Sequence, residues 1–260
     1  TATLLSDGRL LVVGGVYGTT LSSTEIYDSV NGAWSATSSM WTTRWLHTAT
    51  LLPNGLVLVA GGTSYGKDAS LYNPATGAWT NTVTLATNRE SHTATLLPNG
   101  KVLLAGSGYS TGSAKTAELY DPATGTSTAT GTLNYGRADH TSTLLPNGKV
   151  LVTGGTGGGA TAELYNPNTG GWEAMNSMPI SVSFHTATLL TNGKVLIAGG
   201  YNGSSRTNAT LFDLAAGKWT LTGPLNIGRY YHTATLLPDG RVLVAGGAAG
   251  SVATKTAELY

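Results

Sequence analysis

The sequence predicts an all-β fold: a six-bladed β-propeller with four antiparallel strands per blade, the last blade lacking its outer strand. Three observations predict it. A sixteen-residue block recurs as HTATLLPNGLVLVAGG from His47, HTATLLPNGKVLLAGS from His92, HTSTLLPNGKVLVTGG from His140, HTATLLTNGKVLIAGG from His185 and HTATLLPDGRVLVAGG from His232. A sixth copy, without its histidine, opens the chain at Thr1. A fixed period of this size marks a repeat architecture. A second signature follows each block: TEIYDS from Thr24, ASLYNPATG from Ala69, AELYDPATG from Ala117, AELYNPNTG from Ala162, ATLFDLAAG from Ala209 and AELY from Ala257. Beyond it a tryptophan recurs at Trp34, Trp79, Trp172 and Trp219, with Ser127 as the exception. Units of four strands set around a central channel are propeller blades.

Each block reads as a β-hairpin. Asp7-Gly8, Asn54-Gly55, Asn99-Gly100, Asn147-Gly148, Asn192-Gly193 and Asp239-Gly240 suit two-residue type I′ turns, which need positive φ at both central positions. The flanking TATLL and VLVA runs are short, β-branched and bounded by turn signals. Val57-Leu58-Val59-Ala60 does not alternate with polar residues, so it is expected to be covered on both faces. The second signature is a third strand ending in an aromatic and closed by an Asn/Asp-Pro turn. The tryptophan then opens a fourth. Five full units and three strands of a sixth place the blades at about 1–46, 47–91, 92–139, 140–184, 185–231 and 232–260 of one domain. A seventh blade stays open if the chain was trimmed.

The histidine, the paired glycines, the Tyr-Asp and the Trp at this spacing resemble the kelch repeat, of the bacterial variety related to the galactose oxidase and glyoxal oxidase propeller. The resemblance covers the whole chain. It implies that the tryptophans and Tyr27, Tyr72, Tyr120 and Tyr165 pack blade against blade.

Composition removes several functions. The net charge is +1, from 14 basic and 13 acidic side chains, which gives a nucleic acid nothing to hold. There are no cysteines, so disulfides, thiolate metal sites and cysteine nucleophiles are excluded. No apolar run approaches ~20 residues, the length of a membrane helix. Low charge with abundant Thr, Asn and Gly suits an extracellular or cell-surface setting. Asn202-Gly-Ser and Asn208-Ala-Thr are glycosylation sequons.

Strand direction sorts the loops onto two faces. The Asn-Gly and Pro-Ala-Thr-Gly turns share one. Loops after the glycine pairs share the other with the loops entering each histidine, and these carry the variation in length that binding sites use. They also carry aromatics the repeat does not require: Tyr17, Tyr65, Tyr109 and Tyr201 after second strands, and Trp41, Trp45, Tyr135, Tyr230 and Tyr231 before first strands. The expected ligand is a glycan or a protein.

The repeated polar residues are expected to be scaffold. The five histidines share one repeat position, too widely spaced around a channel for one ion, and each is expected to bond a neighbouring blade or a water. Arg44, Arg89, Arg137 and Arg229 stand three residues before a histidine, while Val182 holds that place before His185. Glu25, Glu118, Glu163 and Glu258 recur on third strands, with Ser70 and Thr210 in the other two. An own-blade Arg–Glu ion pair is expected, its path cleared by the glycine pair. Only Arg44 is then left to serve a ligand.

No catalytic residue, metal or cofactor is expected. Tyr231-His232 resembles the Tyr-His copper segment of galactose oxidase, which would make Tyr231 the axial ligand and His232 an equatorial one. The second tyrosine of that family is cross-linked to a cysteine, and this chain has none. Glu90 and Asp139 are the carboxylates near a histidine on the aromatic face. They lie in different blades, so a paired-carboxylate glycosidase finds no support.

Overall fold

A computed structural model describes residues 1–62, 66–108, 110 and 112–260. The chain is all-β, with one turn of 3-10 helix at Ser113–Lys115 among the described residues. No described helix is long and apolar enough to cross a membrane.

Six sheets follow the repeats in order. Blade 1 comprises Ala2–Leu4, Leu10–Tyr17, Thr19–Asp28 and Ala33–Ala36. Blade 2 comprises Thr48–Leu51, Val57–Ala60, Asp68–Asn73 and Ala78–Thr84, and blade 3 comprises Thr93–Leu96, Val102–Ala105, Ala117–Asp121 and Thr126–Ala129. Blade 4 comprises Thr141–Leu144, Val150–Thr153, Ala162–Asn166 and Gly171–Met175. Blade 5 comprises Thr186–Leu189, Val195–Ala198, Ala209–Asp213 and Lys218–Thr222. Blade 6 has three strands, Thr233–Leu236, Val242–Ala245 and Ala257–Leu259, with a small hairpin at Ala248–Ala249 and Val252–Ala253. Strand order within every sheet is sequential and antiparallel. The missing outer strand of blade 6 is as expected. The chain divides into two compact units, Thr1–Gly131 and Thr132–Tyr260.

The second strands of blades 2 to 5 are buried at every residue; blades 2 and 5 each have a neighbouring blade on both faces within their own unit. In the first unit, blades 1 and 2 pack through Leu11, Val13, Val57 and Tyr72, and blades 2 and 3 through Leu58, Val102 and Leu104. In the second, Leu151, Val195 and Phe212 join blades 4 and 5, and Leu196, Val242 and Val244 join blades 5 and 6.

The hairpin turn differs from expectation. Gly55 has φ 81° and Gly148 has φ 78°, but no Asn or Asp of these turns has positive φ. Leu52 N–H bonds the Leu56 carbonyl and Gly55 N–H bonds the Leu52 carbonyl, so the loop is three residues, Pro53-Asn54-Gly55. This is a type I turn followed by a left-handed glycine. Proline at the first loop position, with its φ fixed near −65°, suits a type I turn. The Asn54 Oδ1 caps Leu56 N–H at 3.1 Å.

The aromatic packing is partly as expected. Trp79 is buried and its indole N–H donates to the Ser38 carbonyl of blade 1 at 2.8 Å, while Tyr72 O–H bonds Thr37 Oγ1 at 2.9 Å. Trp219 reaches the Asn176 carbonyl of blade 4 at 2.7 Å. Trp34 instead lies 55% exposed against Tyr27.

Candidate functional site

The segment entering each histidine positions the site, and four repeated anchors hold it. The first is the Arg–Glu pair. Arg89 Nε lies 2.6 Å from Glu118, Arg137 Nη2 2.6 Å from Glu163 and Arg229 Nη2 2.7 Å from Glu258. Each glutamate also accepts a backbone N–H from its entry loop: Ala86 on Glu118, Asn134 and Tyr135 on Glu163, Asn226 and Ile227 on Glu258. The pair therefore clamps the entry loop to the third strand.

Arg44 corrects an expectation. It is 1% exposed and donates to the Gly61 and Asp68 carbonyls and to Ser70 Oγ. A guanidinium so enclosed meets no ligand, so Arg44 is scaffold with a serine where blades 3, 4 and 6 pair their arginine with a carboxylate.

The second anchor is the histidine. The Nε2 atoms of His47, His92, His185 and His232 lie 2.9–3.0 Å from Thr1, Thr48, Thr141 and Thr186, each at the start of the preceding blade. Burial, with nearby positive charge, lowers the pKa to about 3 at His47, His92 and His185 and to about 4 at His232. These imidazoles are neutral hydrogen-bonding wedges between blades.

The third is the glycine pair, whose steric role differs from the expected one. A Cβ on Gly154 would lie 2.5 Å from the Val182 carbonyl and 2.8 Å from the His185 ring. On Gly247 it would meet the Tyr230 carbonyl at 2.5 Å and His232 Cβ at 2.9 Å. The first glycine thus admits the next blade's entry segment and the second admits its own. What they clear is backbone and imidazole, since the guanidinium bonds the first glycine's carbonyl, as at Gly154 and Gly246.

The fourth was not anticipated. Met40, Leu85, Leu133, Met178 and Leu225 are buried, each seven residues before a histidine. The repeat period alone could have revealed it.

Between anchor and histidine lies the position that distinguishes the blades. Leu46, Ser91, Asp139, Phe184 and Tyr231 have φ of 50–55°, a left-handed conformation uncommon for residues other than glycine. Each immediately precedes a histidine. The register is locked by backbone bonds from Ser91 N–H to the Leu46 carbonyl, Phe184 N–H to Asp139 and Tyr231 N–H to Phe184. One backbone shape thus presents five different side chains. No residue type signals it.

In the first unit, Tyr17 is 87% exposed, and Trp41 and Trp45 are exposed too. Tyr17 ends a second strand rather than lying in a loop, because blade 1 extends through a bulge to a hairpin tip at Gly18. Tyr65 and Tyr109 lie outside the described residues. In the second unit Tyr135 is exposed, its N–H held by Glu163. Tyr201, Tyr230 and Tyr231 converge there with Phe184, which the sequence reading passed over. Ring centroids are 5.1 Å apart for Tyr201 and Tyr230, 5.3 Å for Tyr230 and Tyr231, and 4.4 Å for Phe184 and Tyr231. Tyr230 is half-buried, its hydroxyl donating to the Gly250 carbonyl. Burial, Asp139 and Tyr230 raise the Tyr231 pKa above the ordinary tyrosine value.

The comparisons agree with this architecture. A kelch-motif family model matches residues 1–40. No curated protein matches the chain in sequence. The chain is similar in structure to a solved protein described as a novel fungal alcohol oxidase with catalytic diversity among the AA5 family, in complex with copper. The match has TM-score 0.62 and 19% identity, and covers 95% of this chain and 69% of that one. At that identity the likeness shows the fold alone, a β-propeller, of which the six sheets described above are the blades.

A copper centre of that kind does not fit the residues present. His232 Nε2 is engaged by Thr186, and the chain has no cysteine to cross-link a second tyrosine. No cluster of three His, Cys, Asp or Glu side chains exists among the described residues.

Proposed function

We propose that this chain is a non-catalytic binding propeller of an extracellular or cell-surface protein, engaging a glycan, or alternatively a protein, through the aromatics of its entry and post-second-strand loops. One observation carries the reading. The repeated arginines, glutamates and histidines are consumed in holding blades together, while the non-repeated aromatics stand exposed on clamped loops. Rigid, amphipathic side chains of this kind make contact area at low entropic cost. A module serving purely as structure in a larger adhesion protein is the second reading, favoured by the same clamps.

A glycan array and a cell-surface protein pull-down test it, each repeated with Trp45→Ala and Tyr231→Ala. Binding reduced by either substitution supports the module; wild-type chain blank in both assays favours the purely structural reading. Hydrogen peroxide released from primary alcohols by copper-treated chain would overturn the non-catalytic assignment.

A further inference from the structure

A groove of about 390 Å³ crosses the second unit between blades 4 and 5, a volume within the ~300–1,000 Å³ range of small-ligand sites. Gly155, Thr156 and Gly157 of blade 4 and Ser183, Tyr201 and Asn202 of blade 5 line it. The lining is fixed. Ala138 and Thr156 exchange backbone hydrogen bonds, as do Ser183 and Tyr201. Two of the lining residues reach beyond it: the Tyr201 ring meets that of Tyr230 at a 56° tilt, and Thr156 Oγ1 donates to the Asp139 carboxylate at 3.4 Å.

We propose that this groove binds a neutral saccharide, one pyranose ring stacking on Tyr201 and the chain continuing toward Tyr231. The inference rests on the binding reading above and names its ligand class and site. Three features select this occupant. The aromatic rings run in one contiguous series from Tyr201 through Tyr230 to Tyr231, and the weakly positive C–H face of a pyranose matches the negative face of such a ring. The polar groups beside them are hydroxyls, an amide and backbone peptides of the glycine segment, which suit polyol hydroxyls. The charges are balanced. Asp139 accepts from Thr156 and Arg206 donates to the Asn202 carbonyl at 2.7 Å, one charge of each sign bonded to the lining, so neither a polyanion nor a cation is favoured. Tyr230 is tied to the Gly250 carbonyl and supports the stack.

Isothermal titration with tetrasaccharides of β-linked glucose, xylose, mannose and galactose tests this, with a sulfated galactan tetrasaccharide for comparison. At least one neutral tetrasaccharide should bind and the sulfated one should bind less. Tyr201→Ala and Tyr231→Ala should each weaken binding about tenfold, one aromatic stacking contact being worth roughly 1–1.5 kcal/mol. Tyr201→Phe should retain it, and Trp34→Ala on the outer strand of blade 1 should not alter it. Thermal melts establish that each variant is folded. Binding lost in Trp45→Ala but kept in Tyr201→Ala would overturn this site while leaving the binding module intact. Silence from every tetrasaccharide, or preference for the sulfated one, would overturn the saccharide inference itself.

Discussion

Blades 4 and 5 are built on the same template, yet hold their entry loops by opposite chemistry. Blade 4 uses Arg137 and Glu163, both fully buried, with Glu163 accepting the Asn134 N–H at 2.7 Å. Blade 5 has Val182 and Thr210 at those places. Both are buried, with Thr210 Oγ1 donating to the Thr220 carbonyl. Where blade 4 has Asn134, blade 5 has Pro179, which carries no N–H to offer a carboxylate. Three positions therefore differ in concert: cation, anion and backbone donor. Removing one member alone would strand a buried charge, whereas exchanging all three leaves every group satisfied. Between these two blades the loop is a slot filled by a polar network in one and by none in the other, and blade 2, with Arg44 and Ser70, stands between them.

The largest expected effect does not depend on that exchange. Four imidazoles have pKa values of about 3 or 4 in the fold against ~6.5 unfolded. The unfolded chain binds more protons between those values, so stability is complete above about pH 6.5 and falls as pH drops. The loss is about 1.4 kcal/mol per pH unit for each imidazole. Urea unfolding across pH 7 to 4 should show this slope, and a flat profile would remove the buried, neutral assignment.

Next in size is Glu163→Ala, which isolates Arg137 and should cost about 3–5 kcal/mol. Remaking blade 4 as blade 5, with Arg137→Val, Glu163→Thr and Asn134→Pro together, should cost under half of that by the same urea measurement. If the triple variant is worse than the single one, the two-network account of the slot fails. Blade 2 offers the converse. Arg44 Nη2 meets Ser70 Oγ at 3.3 Å where Arg137 and Arg229 Nη2 meet a carboxylate, and Ser70→Glu should raise stability by about 1 kcal/mol, read as a higher melting temperature. The smallest effect belongs to the rim: Tyr231→Ala should change stability by about 0.5 kcal/mol or less.

Much of the scaffold was legible in the chain. The Arg–Glu pairs follow from residues that tend to appear and vanish together along the repeats, blade 2 with Arg44 and Ser70 excepted, and the histidine bonds from their constant place. The hairpin position was readable from Asn54-Gly55, but its type was not, because Pro53 fixes the turn from outside the dipeptide. Arg44 was misjudged because the sequence showed that no glutamate faced it, while the carbonyls of Gly61 and Asp68 that satisfy it carry no residue signature.

The sequence by itself determined the strands, their pairing and the number of blades, since each hairpin joins near neighbours and each unit repeats the same local chemistry. Only the tertiary structure decided that Asp139, Phe184 and Tyr231 occupy one left-handed position in successive blades and that Phe184, Tyr201, Tyr230 and Tyr231 meet. Those contacts join residues from separate repeats, and their geometry is set by backbone bonds between blades, which leave no pattern in the order of side chains.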